Sequence, residues 1–484
     1  MTSKTRRILL LTTSTQRNKP MNDCGCRPLD RRAFLRAGAL AAAGAAALAA
    51  APRGLMAAGG AGKPNIILMI ADDTGWNDVG YHGSEIATPN IDRMAAAGAE
   101  LDQFYACPTC SPTRAAILMG RPPCRYGIFA PIAGRSELTL PQERGTLATA
   151  LRSAGYTTHQ LGKWHLGLRP EVGPTSFGFD TSYGYLHGQI DQYTHIYKNG
   201  DTSWHRNEQF IEEEGHATDL LADESVRIIE NSTADTPFFL YTAFSVPHYP
   251  VQEPQEWTAR YEGKIADPDR LVYAASMTHM DAAIGRIIEA VNKKGIAENT
   301  LLVFISDNGG QDNWTATANE YDNRHGPYRV LGDNRPLRGW KGSHYEGGIR
   351  VPAAAVWPGV IGQRKVRQLS HAMDLCATFA AVAGARLPEA MEVEGIDLMP
   401  FISGEGEPVE RTLYWNDGRS LAVRRGPWKL LHNGSRPNTG ASELYNVIDD
   451  PLEQNDLSAE RITLTAQMRE LLAGQFRKDN IPVE

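Results

Sequence analysis

Cysteine is scarce in this chain, and long apolar runs are absent. Only six of the 484 residues are cysteine, and two of these, Cys24 and Cys26, lie near the N-terminus. The four that remain are too few for a scaffold held together by disulfide bonds. No segment is apolar over the roughly 20 residues that a membrane-spanning helix needs. The sequence also has no heptads and no internal repeats, so a coiled coil and a repeat array are excluded.

Net positive charge is lacking outside the N-terminus. The formal net charge is −7, although residues 1–62 carry ten Lys and Arg against two acids. The rest of the chain is therefore acidic, which argues against nonspecific nucleic-acid binding. An anionic substrate would have to be met by a local basic pocket. With 42% hydrophobic and 22% charged residues, the composition is that of a globular protein with one large domain and an appendage, or with two domains.

The first 62 residues have the pattern of an export signal. The pair Arg31-Arg32 precedes Phe34-Leu35, and residues 37–51 are uncharged Ala, Gly and Leu. This pattern is typical of a twin-arginine signal peptide with a linker. We therefore predict export by the twin-arginine (Tat) machinery to the periplasm or the medium. The alternative interpretation is a disordered Ala-rich tail.

Short apolar runs alternate with helical patterns along the rest of the chain. Runs that suit buried strands lie at 65–70, 99–105, 157–161, 238–243, 301–305 and 351–357. Helices are predicted at 88–98, from Ser111 onwards, and at 145–155, 269–294 and 374–383. This alternation predicts an α/β fold with a large, mostly parallel sheet sandwiched by helices. A hairpin at 421–432 and a helix near 460–476 predict a small C-terminal antiparallel sheet plus helix. We expect a main domain at 63–400 and an α+β subdomain at 401–484.

Polar residues follow several of these strands. Asp72-Asp73 come after the first run, and Asp307-Asn308 come after the run at 301–305. The carboxyl ends of parallel strands meet at one edge of a sheet, where ligands bind in such folds. Three carboxylates and an amide oxygen favour Ca²⁺ or Mg²⁺ over zinc. Each pair alone is also ordinary turn chemistry, so its position after a buried strand is what favours a metal.

A cysteine and several basic residues are expected at the same edge. Cys110 comes directly before a predicted helix, whose N-terminal NH groups favour an anion and could lower the pKa of the thiol. The alternative is a buried structural cysteine. Lys163, His165 and His248 follow two other strands, and Lys341 lies in a Gly-rich loop. This basic set suits a tetrahedral oxyanion and its proton transfers, whereas a lone Lys or His would be an ordinary surface or core group.

Two segments together resemble a known family. Cys110-Ser111-Pro112-Thr113-Arg114, continuing to Met119-Gly120-Arg121, is similar to the Cys-X-Pro-X-Arg modification signature of the formylglycine-dependent sulfatases. Gly162-Lys163-Trp164-His165-Leu166-Gly167 resembles the second signature of that family. The resemblance extends over about residues 63–400. It implies the fold of the alkaline phosphatase superfamily and the hydrolysis of sulfate esters.

The resemblance also implies a site. A maturation enzyme would oxidise Cys110 to formylglycine, and one Ca²⁺ ion would bind beside it. The implied metal ligands are Asp72, Asp73, the modified Cys110, Asp307 and Asn308. The implied catalytic residues are Cys110, Arg114, Lys163, His165, His248 and Lys341. In the family's mechanism a hydroxyl of the hydrated aldehyde attacks sulfur, and His248 and Lys341 protonate the leaving alcohol. His165 then takes the proton of the second hydroxyl, and sulfate is released.

Sulfated carbohydrates are the implied substrate class. The segments from Gly178 to Asp191 and from Pro336 to Gly348 look most like the arylsulfatase B group, the N-acetylgalactosamine-4-sulfatases. The chain differs from that group in its shorter C-terminus and its few cysteines. Several residues in variable segments are candidates for reading the sugar: His187, Gln189, Asp191, Trp314 and His325.

Three alternatives stay open at this point. The chain could be a phosphomonoester, phosphodiester or phosphonate hydrolase of the same superfamily. It could be an exported carbohydrate-binding homologue in which Cys110 is unmodified. It could also be a thiol-disulfide protein that uses Cys107 and Cys110. The pairing of Cys107, Cys124 and Cys376 is likewise open.

Overall fold

The computed structural model describes residues 62–480, except 313, 316–319, 324 and 326–328, and it does not describe the side chains at 314, 315 and 323. The predicted export signal lies outside these residues. The strands are β1 (Asn65–Ala71), β2 (Ala99–Leu101), β3 (Phe104–Tyr105), β4 (Thr157–Lys163), β5 (Thr181–Tyr185), β6 (Trp204–Arg206), β7 (Gln209–Phe210), β8 (Phe238–Ala243), β9 (Thr300–Ser306), β10 (Trp314–Thr315), β11 (Arg329–Val330), β12 (Ala353–Val356), β13 (Arg364–Val366), β14 (Ser370–His371), β15 (Thr412–Asn416), β16 (Leu421–Arg425), β17 (Trp428–His432) and β18 (Ser442–Asn446). The α-helices are α1 (Pro89–Ala97), α2 (Cys110–Met119), α3 (Leu147–Ser153), α4 (Ala217–Asn231), α5 (Gln255–Thr258), α6 (Pro268–Lys294), α7 (Glu346–Ile349), α8 (Asp374–Ala383), α9 (Met399–Ser403) and α10 (Ile462–Phe476).

A ten-stranded sheet with the order β13-β2-β12-β9-β1-β8-β4-β5-β6-β7 forms the centre of the structure. Its five middle strands, from β9 to β5, pair in parallel. Every residue of β1, β8 and β9 is buried, as expected for parallel strands that are covered on both faces. The predicted α/β class with a mostly parallel sheet is confirmed.

Four antiparallel strands, β15 to β18, form the small C-terminal sheet. Helix α10 packs on it through Met468 and Leu472, which share a buried cluster with Val423 and Leu444. The predicted antiparallel sheet with one helix is therefore confirmed. The boundary near residue 400 stays a prediction.

One predicted strand is divided. The run at 99–105 forms β2, which joins the large sheet, and β3, which pairs in parallel with β14 outside it. The break falls at Asp102 and Gln103, where the Asp102 amide still bonds Val366 but the chain then leaves the sheet. The pattern of apolar residues does not show that the chain leaves the sheet here, because β2 and β3 are both buried.

The helices follow their local end signals. Helix α6 begins after Asp267, whose side chain accepts the amides of Asp269 and Arg270, and it ends at Gly295 in the left-handed region. All ten residues of α2 are buried, so the helix that starts at Cys110 runs through the core. No helix in the described part of the chain combines the length and the apolar character needed to cross a membrane.

Candidate active site

The candidate residues meet at the carboxyl edge of the parallel strands. Asp72 directly follows β1, Lys163 is the last residue of β4, and Asp307 directly follows β9. Since β1 lies between β8 and β9, and β8 lies between β1 and β4, these ends are neighbours. His248 lies five residues beyond β8 and reaches the same edge.

The acidic residues are bound to one another through backbone and amide groups. The Asp73 amide donates to Asp307 Oδ1 at 3.2 Å, and Asn308 Nδ2 donates to Asp73 Oδ1 at 2.8 Å. Asp73 has a φ of 69°, in the left-handed region that few residues other than glycine adopt. The Tyr273 hydroxyl lies against this turn, 3.2 Å from the Asp73 carbonyl, and donates to Asp78 Oδ2 at 2.7 Å. Nothing in the local sequence pointed to Tyr273.

Each carboxylate has a basic partner. Lys163 Nζ donates to Asp72 Oδ2 at 2.7 Å, and both side chains are 0% exposed. Lys341 Nζ lies 2.6 Å from the Asp73 carboxylate. Arg114 completes the set through Asp307. Three carboxylates are thus balanced by three cations in a buried cluster.

Burial and these partners shift the acidities in opposite directions. Burial raises the pKa of Asp72 to about 7, although Lys163 opposes the shift. Burial would also raise the pKa of Asp73, but Lys341 and His248 hold it well below its ordinary value. For Lys341 burial is outweighed by Asp73, so its pKa lies above the ordinary value.

Two oxygens at this edge are left for a cation. Asp72 Oδ1 and Asn308 Oδ1 are buried and have no hydrogen-bond partner among the described residues. Ligand atoms of Asp72, Asp73 and His248 also lie within 4.8 Å of one another. Unpaired buried oxygens are costly, and oxygen donors of this kind suit Ca²⁺. The donor set therefore fits a hard divalent cation.

Cys110 is the first residue of α2 and not the residue before it. Its Sγ lies 3.3 Å from His165 Nδ1. Complete burial raises the pKa of the Cys110 thiol although Lys163 and Lys341 oppose the rise, which favours the alternative of a buried cysteine over a thiol with a lowered pKa. A free thiol here would be a poor nucleophile.

His165 is fixed as an acceptor towards Cys110. Its Nε2 lies 2.8 Å from the Ile132 carbonyl, so Nε2 carries the proton and Nδ1 faces the sulfur as a lone pair. Burial, together with Lys163 and Arg114, lowers the pKa of His165 well below its ordinary value. A Cβ at Gly188 would lie 2.5 Å from the imidazole. Gly188 is therefore part of the site, and the sequence analysis missed it.

Arg114 binds two parts of the site at once. One guanidinium nitrogen donates to the Lys163 carbonyl at 3.0 Å, and another donates to Asp307 Oδ2 at 2.7 Å. Neither Arg114 nor Asp307 is exposed. The arginine thus links β4 to β9 from the second turn of α2.

His248 and Lys341 form the solvent-facing side of the site, with side chains 13% and 12% exposed. His248 Nδ1 lies 2.7 Å from the Tyr249 carbonyl, and its Nε2 lies 3.7 Å from Asp73 Oδ2. Burial and the nearby Lys341 lower the pKa of His248 to about 3. Its resting form is therefore neutral.

The four described candidates for sugar contacts already have partners within the fold, and only Asp191 and His325 contact each other. His187 Nδ1 lies 2.9 Å from Ser203 Oγ, and the ring stacks on Tyr197. Asp191 Oδ2 lies 2.6 Å from His325 Nε2, whereas Gln189 Nε2 donates to the Tyr321 hydroxyl at 3.2 Å. Burial of His187 leaves it little room to touch a sugar. The side chain of Trp314 lies outside what the structure describes.

The cysteines of the described chain are all free and buried. They are Cys107, Cys110, Cys124 and Cys376. Burial raises the pKa of Cys107 to about 12, so Cys107 and Cys110 are not the accessible, acidic pair that dithiol exchange needs. The structure gives no support to the thiol-disulfide alternative.

The parallel sheet, with the buried cluster at its carboxyl edge and a cysteine opening a core helix, has the alkaline phosphatase-like fold. The family model described as Sulfatase matches residues 64–385. The chain belongs to the sulfatase family, the sulfuric ester hydrolases, which confirms the resemblance of the two signatures. The relatives described next support the family, but they do not establish the finer resemblance to the arylsulfatase B group.

Two relatives and one solved structure illustrate the similarity. Arylsulfatase J of Mus musculus is 30% identical over 485 residues, which cover 88% of this chain and 77% of that protein. N-acetylgalactosamine-6-sulfatase of Mus musculus is 34% identical over 404 residues, which cover 78% and 73%. The crystal structure of Ps i-CgsB in complex with k-i-k-neocarrahexaose superposes with a TM-score of 0.77 at 31% identity and covers 87% of this chain and 94% of that one.

Proposed function

We propose that this protein hydrolyses sulfate esters of carbohydrates, with a formylglycine made from Cys110 and one Ca²⁺ ion. The observation that carries the proposal is the buried cluster in which three carboxylates match three cations around the Cys110 sulfur. A bound dication would leave this cluster with excess positive charge. Such an excess suits an anionic sulfate ester in a chain whose net charge is −7.

The Ca²⁺ ligands we propose are Asp72, Asp73, Asp307, Asn308 and the modified Cys110. The ion would supply charge that opposes the sulfate oxygens, and the hydrated aldehyde would supply a nucleophilic hydroxyl and a second, ionisable one. Asp72 Oδ1 and Asn308 Oδ1 support this set, because the described chain offers them no other partner.

The protein's own groups divide the remaining work. The ammonium groups of Lys163 and Lys341 would hold the sulfate oxygens. His165 would act as the base, since its Nδ1 is unprotonated and lies 3.3 Å from Cys110 Sγ. Arg114 would keep Asp307 and β4 in place. An anion bound next to His248 would favour its charged form, so His248 and Lys341 can give a proton to the leaving alcohol.

The substrate proposal rests on the relatives. One is named an N-acetylgalactosamine-6-sulfatase, and one solved structure holds k-i-k-neocarrahexaose. We propose a sulfated galactosamine or carrageenan-type sugar as the first class to test, and the similarity of 178–191 to arylsulfatase B adds the 4-sulfate of N-acetylgalactosamine. Of the sugar-reading candidates, Asp191 and His325 are the pair we propose for this role.

Maturation and export are also proposals. Cys110 is 2% exposed in the folded chain, which supports modification by the maturation enzyme before folding. The twin arginine at Arg31-Arg32 supports export through the Tat machinery to the periplasm or the medium.

Mass spectrometry of the peptide 94–114 from native protein tests the central proposal. We expect an aldehyde in place of the Cys110 thiol and release of sulfate from the sugars named above. Chelation should remove the activity, and added Ca²⁺ should restore it. An intact thiol in active protein, or faster cleavage of 4-nitrophenyl phosphate than of 4-nitrophenyl sulfate, would contradict the proposal. Cys110→Ala is the matched inactive control.

A further inference from the structure

A cluster of two histidines and two carboxylates lies at the far end of the loop that carries His248. His216 is the N-cap of α4, His279 lies within α6, and Glu253 follows His248 by five residues. The side chains of His216, Glu253 and His279 are 3%, 0% and 2% exposed. The fourth member, Asp219, is half-exposed.

The three buried members could at first sight hold a metal ion, because their ligand atoms lie within 4.8 Å of one another. His216, however, has both ring nitrogens engaged. Its Nδ1 accepts the Thr218 amide at 3.2 Å, and its Nε2 lies 2.8 Å from the Gln252 carbonyl. A metal-bound imidazole would have to give up one of these bonds. Glu253 Oε1 and His279 Nε2 have no hydrogen-bond partner among the described residues. A metal would cost a bond at His216, whereas a proton on His279, placed between Glu253 and Asp219, costs none.

His279 supplies that proton. Its Nδ1 lies 2.8 Å from Glu253 Oε2, and its Nε2 lies 3.3 Å from Asp219 Oδ2. Burial alone would lower the pKa of His279, but Asp219 and Glu253 raise it to about 9. Trp257 stacks on the ring at 4.6 Å. An imidazolium thus joins the His248 loop to α4 and α6.

The two ends of the loop are held by different parts of the fold. Upstream of His248, the Phe244 amide bonds Ile70, and the Val246 carbonyl accepts the Asp72 amide at 3.1 Å. These contacts belong to the sheet itself. Downstream, Glu253 reaches the cluster. Between the two ends, Gln192 donates to the Pro250 carbonyl at 3.3 Å and to the Gln252 side chain at 2.7 Å, so Glu253 shares the downstream end with these contacts.

We propose that Glu253 is a positioning residue for His248: the ion pair with His279 fixes the downstream end of the 244–253 loop. This inference rests on the proposed function, in which His248 gives a proton to the leaving alcohol. Loss of the pair would let His248 move while leaving the nucleophile and the metal ligands in place.

Leaving-group dependence tests the inference. Phenyl sulfate needs a proton on its leaving oxygen more than 4-nitrophenyl sulfate does, because phenol is the weaker acid. For Glu253→Gln and His279→Ala we expect kcat on phenyl sulfate to fall at least about tenfold further than on 4-nitrophenyl sulfate, within the roughly 10²–10⁴-fold that a general acid contributes. Adding His248→Ala to Glu253→Gln should cause no further loss of this preference. The exposed Glu256 on the same segment provides the matched control, Glu256→Ala.

Hydrogen–deuterium exchange of the peptide 244–254 gives a readout that needs no activity. Exchange should quicken in Glu253→Gln and in His279→Ala but not in Glu256→Ala. Unchanged exchange in both variants overturns the inference, and so does an equal loss on both sulfates. A wild-type protein that releases sulfate neither from these two esters nor from the sulfated sugars named above refutes the proposed function instead. Zinc that co-purifies with wild type and is lost in His279→Ala would show a metal site and also overturn the inference.

Discussion

Replacing Arg114 separates its charge from its geometry. Arg114→Lys keeps the positive charge, but one ammonium on a flexible stem cannot reproduce both the 3.0 Å bond to the Lys163 carbonyl and the 2.7 Å bond to Asp307. A hydrogen bond that involves a charged group contributes about 1.5–3 kcal/mol. If that bond is needed in the transition state, kcat/KM should fall roughly 10- to 150-fold.

Arg114→Met removes the charge as well. It leaves the fully buried Asp307 carboxylate without its ion-pair partner, which costs about 3–5 kcal/mol of folding stability in comparable buried pairs. Bound Ca²⁺ would offset this cost if Asp307 is a ligand. We therefore expect the loss of stability in Arg114→Met to be larger in a chelator than in excess Ca²⁺.

Urea unfolding with linear extrapolation measures both conditions, and steady-state kinetics measure Arg114→Lys. Arg121→Lys, at a half-buried arginine of the same signature that pairs with Glu394, is the matched control and should leave kcat/KM near the wild-type value. A stability loss in Arg114→Met that is the same with and without Ca²⁺ would refute the reasoning that places Asp307 on the metal. Full activity in Arg114→Lys would refute the need for two bonds.

Three further predictions concern the fold around the site. Lys429 lies 3.0 Å from both Glu346 and Glu453 and is fully buried. Lys429→Met should therefore lower the free energy of unfolding in urea by about 3–5 kcal/mol. The exposed Lys293→Met is the control, and an unchanged urea midpoint in Lys429→Met would contradict the prediction. Gly162 has a φ of 82°, and a Cβ there would overlap the Ala243 carbonyl, whereas at Gly155 φ is 89° but nothing lies within 4 Å. Gly162→Ala should therefore lower the free energy of unfolding by about 1–3 kcal/mol more than Gly155→Ala does. Equal melting temperatures of the two variants would argue against crowding at Gly162. The pKa of His279 is raised to about 9, so its contribution, on the order of 3 kcal/mol, should be complete below about pH 6.5 and be lost as pH rises through 9. The titratable groups that face His279 are Asp219, Glu253 and His216. The difference in unfolding free energy between wild type and His279→Gln should shrink between about pH 6 and about pH 10. A constant difference would exclude a charged His279.

Asp72, Lys163 and Asp307 come together because each ends or directly follows a buried strand. In the sequence, an apolar run followed at once by Asp72-Asp73 or Asp307-Asn308 fixes both the strand and the edge at which its polar residues emerge. The signatures around Cys110 and Lys163 are local in the same way. Strand runs, helix ends and the family can therefore be predicted from the sequence, since they depend on periodicity and on neighbours along the chain.

The partners of these residues depend on tertiary structure. Asp72 pairs with Lys163, which is 91 residues away in the sequence, and Asp73 pairs with Lys341, which is 268 residues away. No local pattern shows these pairings, because they follow from the order of strands in the sheet. Burial acts on Cys110 in the same way: a helix N-terminus alone could lower the pKa of its thiol, whereas desolvation in the folded chain raises that pKa.

The sequence by itself determined the α/β class, the elements that end in polar residues and the sulfatase family, because each of these depends on residues that are close together in the chain. Tertiary structure alone decided that Tyr273 lies against the Asp73 turn, that Gly188 makes room for His165, and that Glu253 joins His279. These contacts arise only when distant elements pack against one another, and packing follows from the whole chain and not from any one segment.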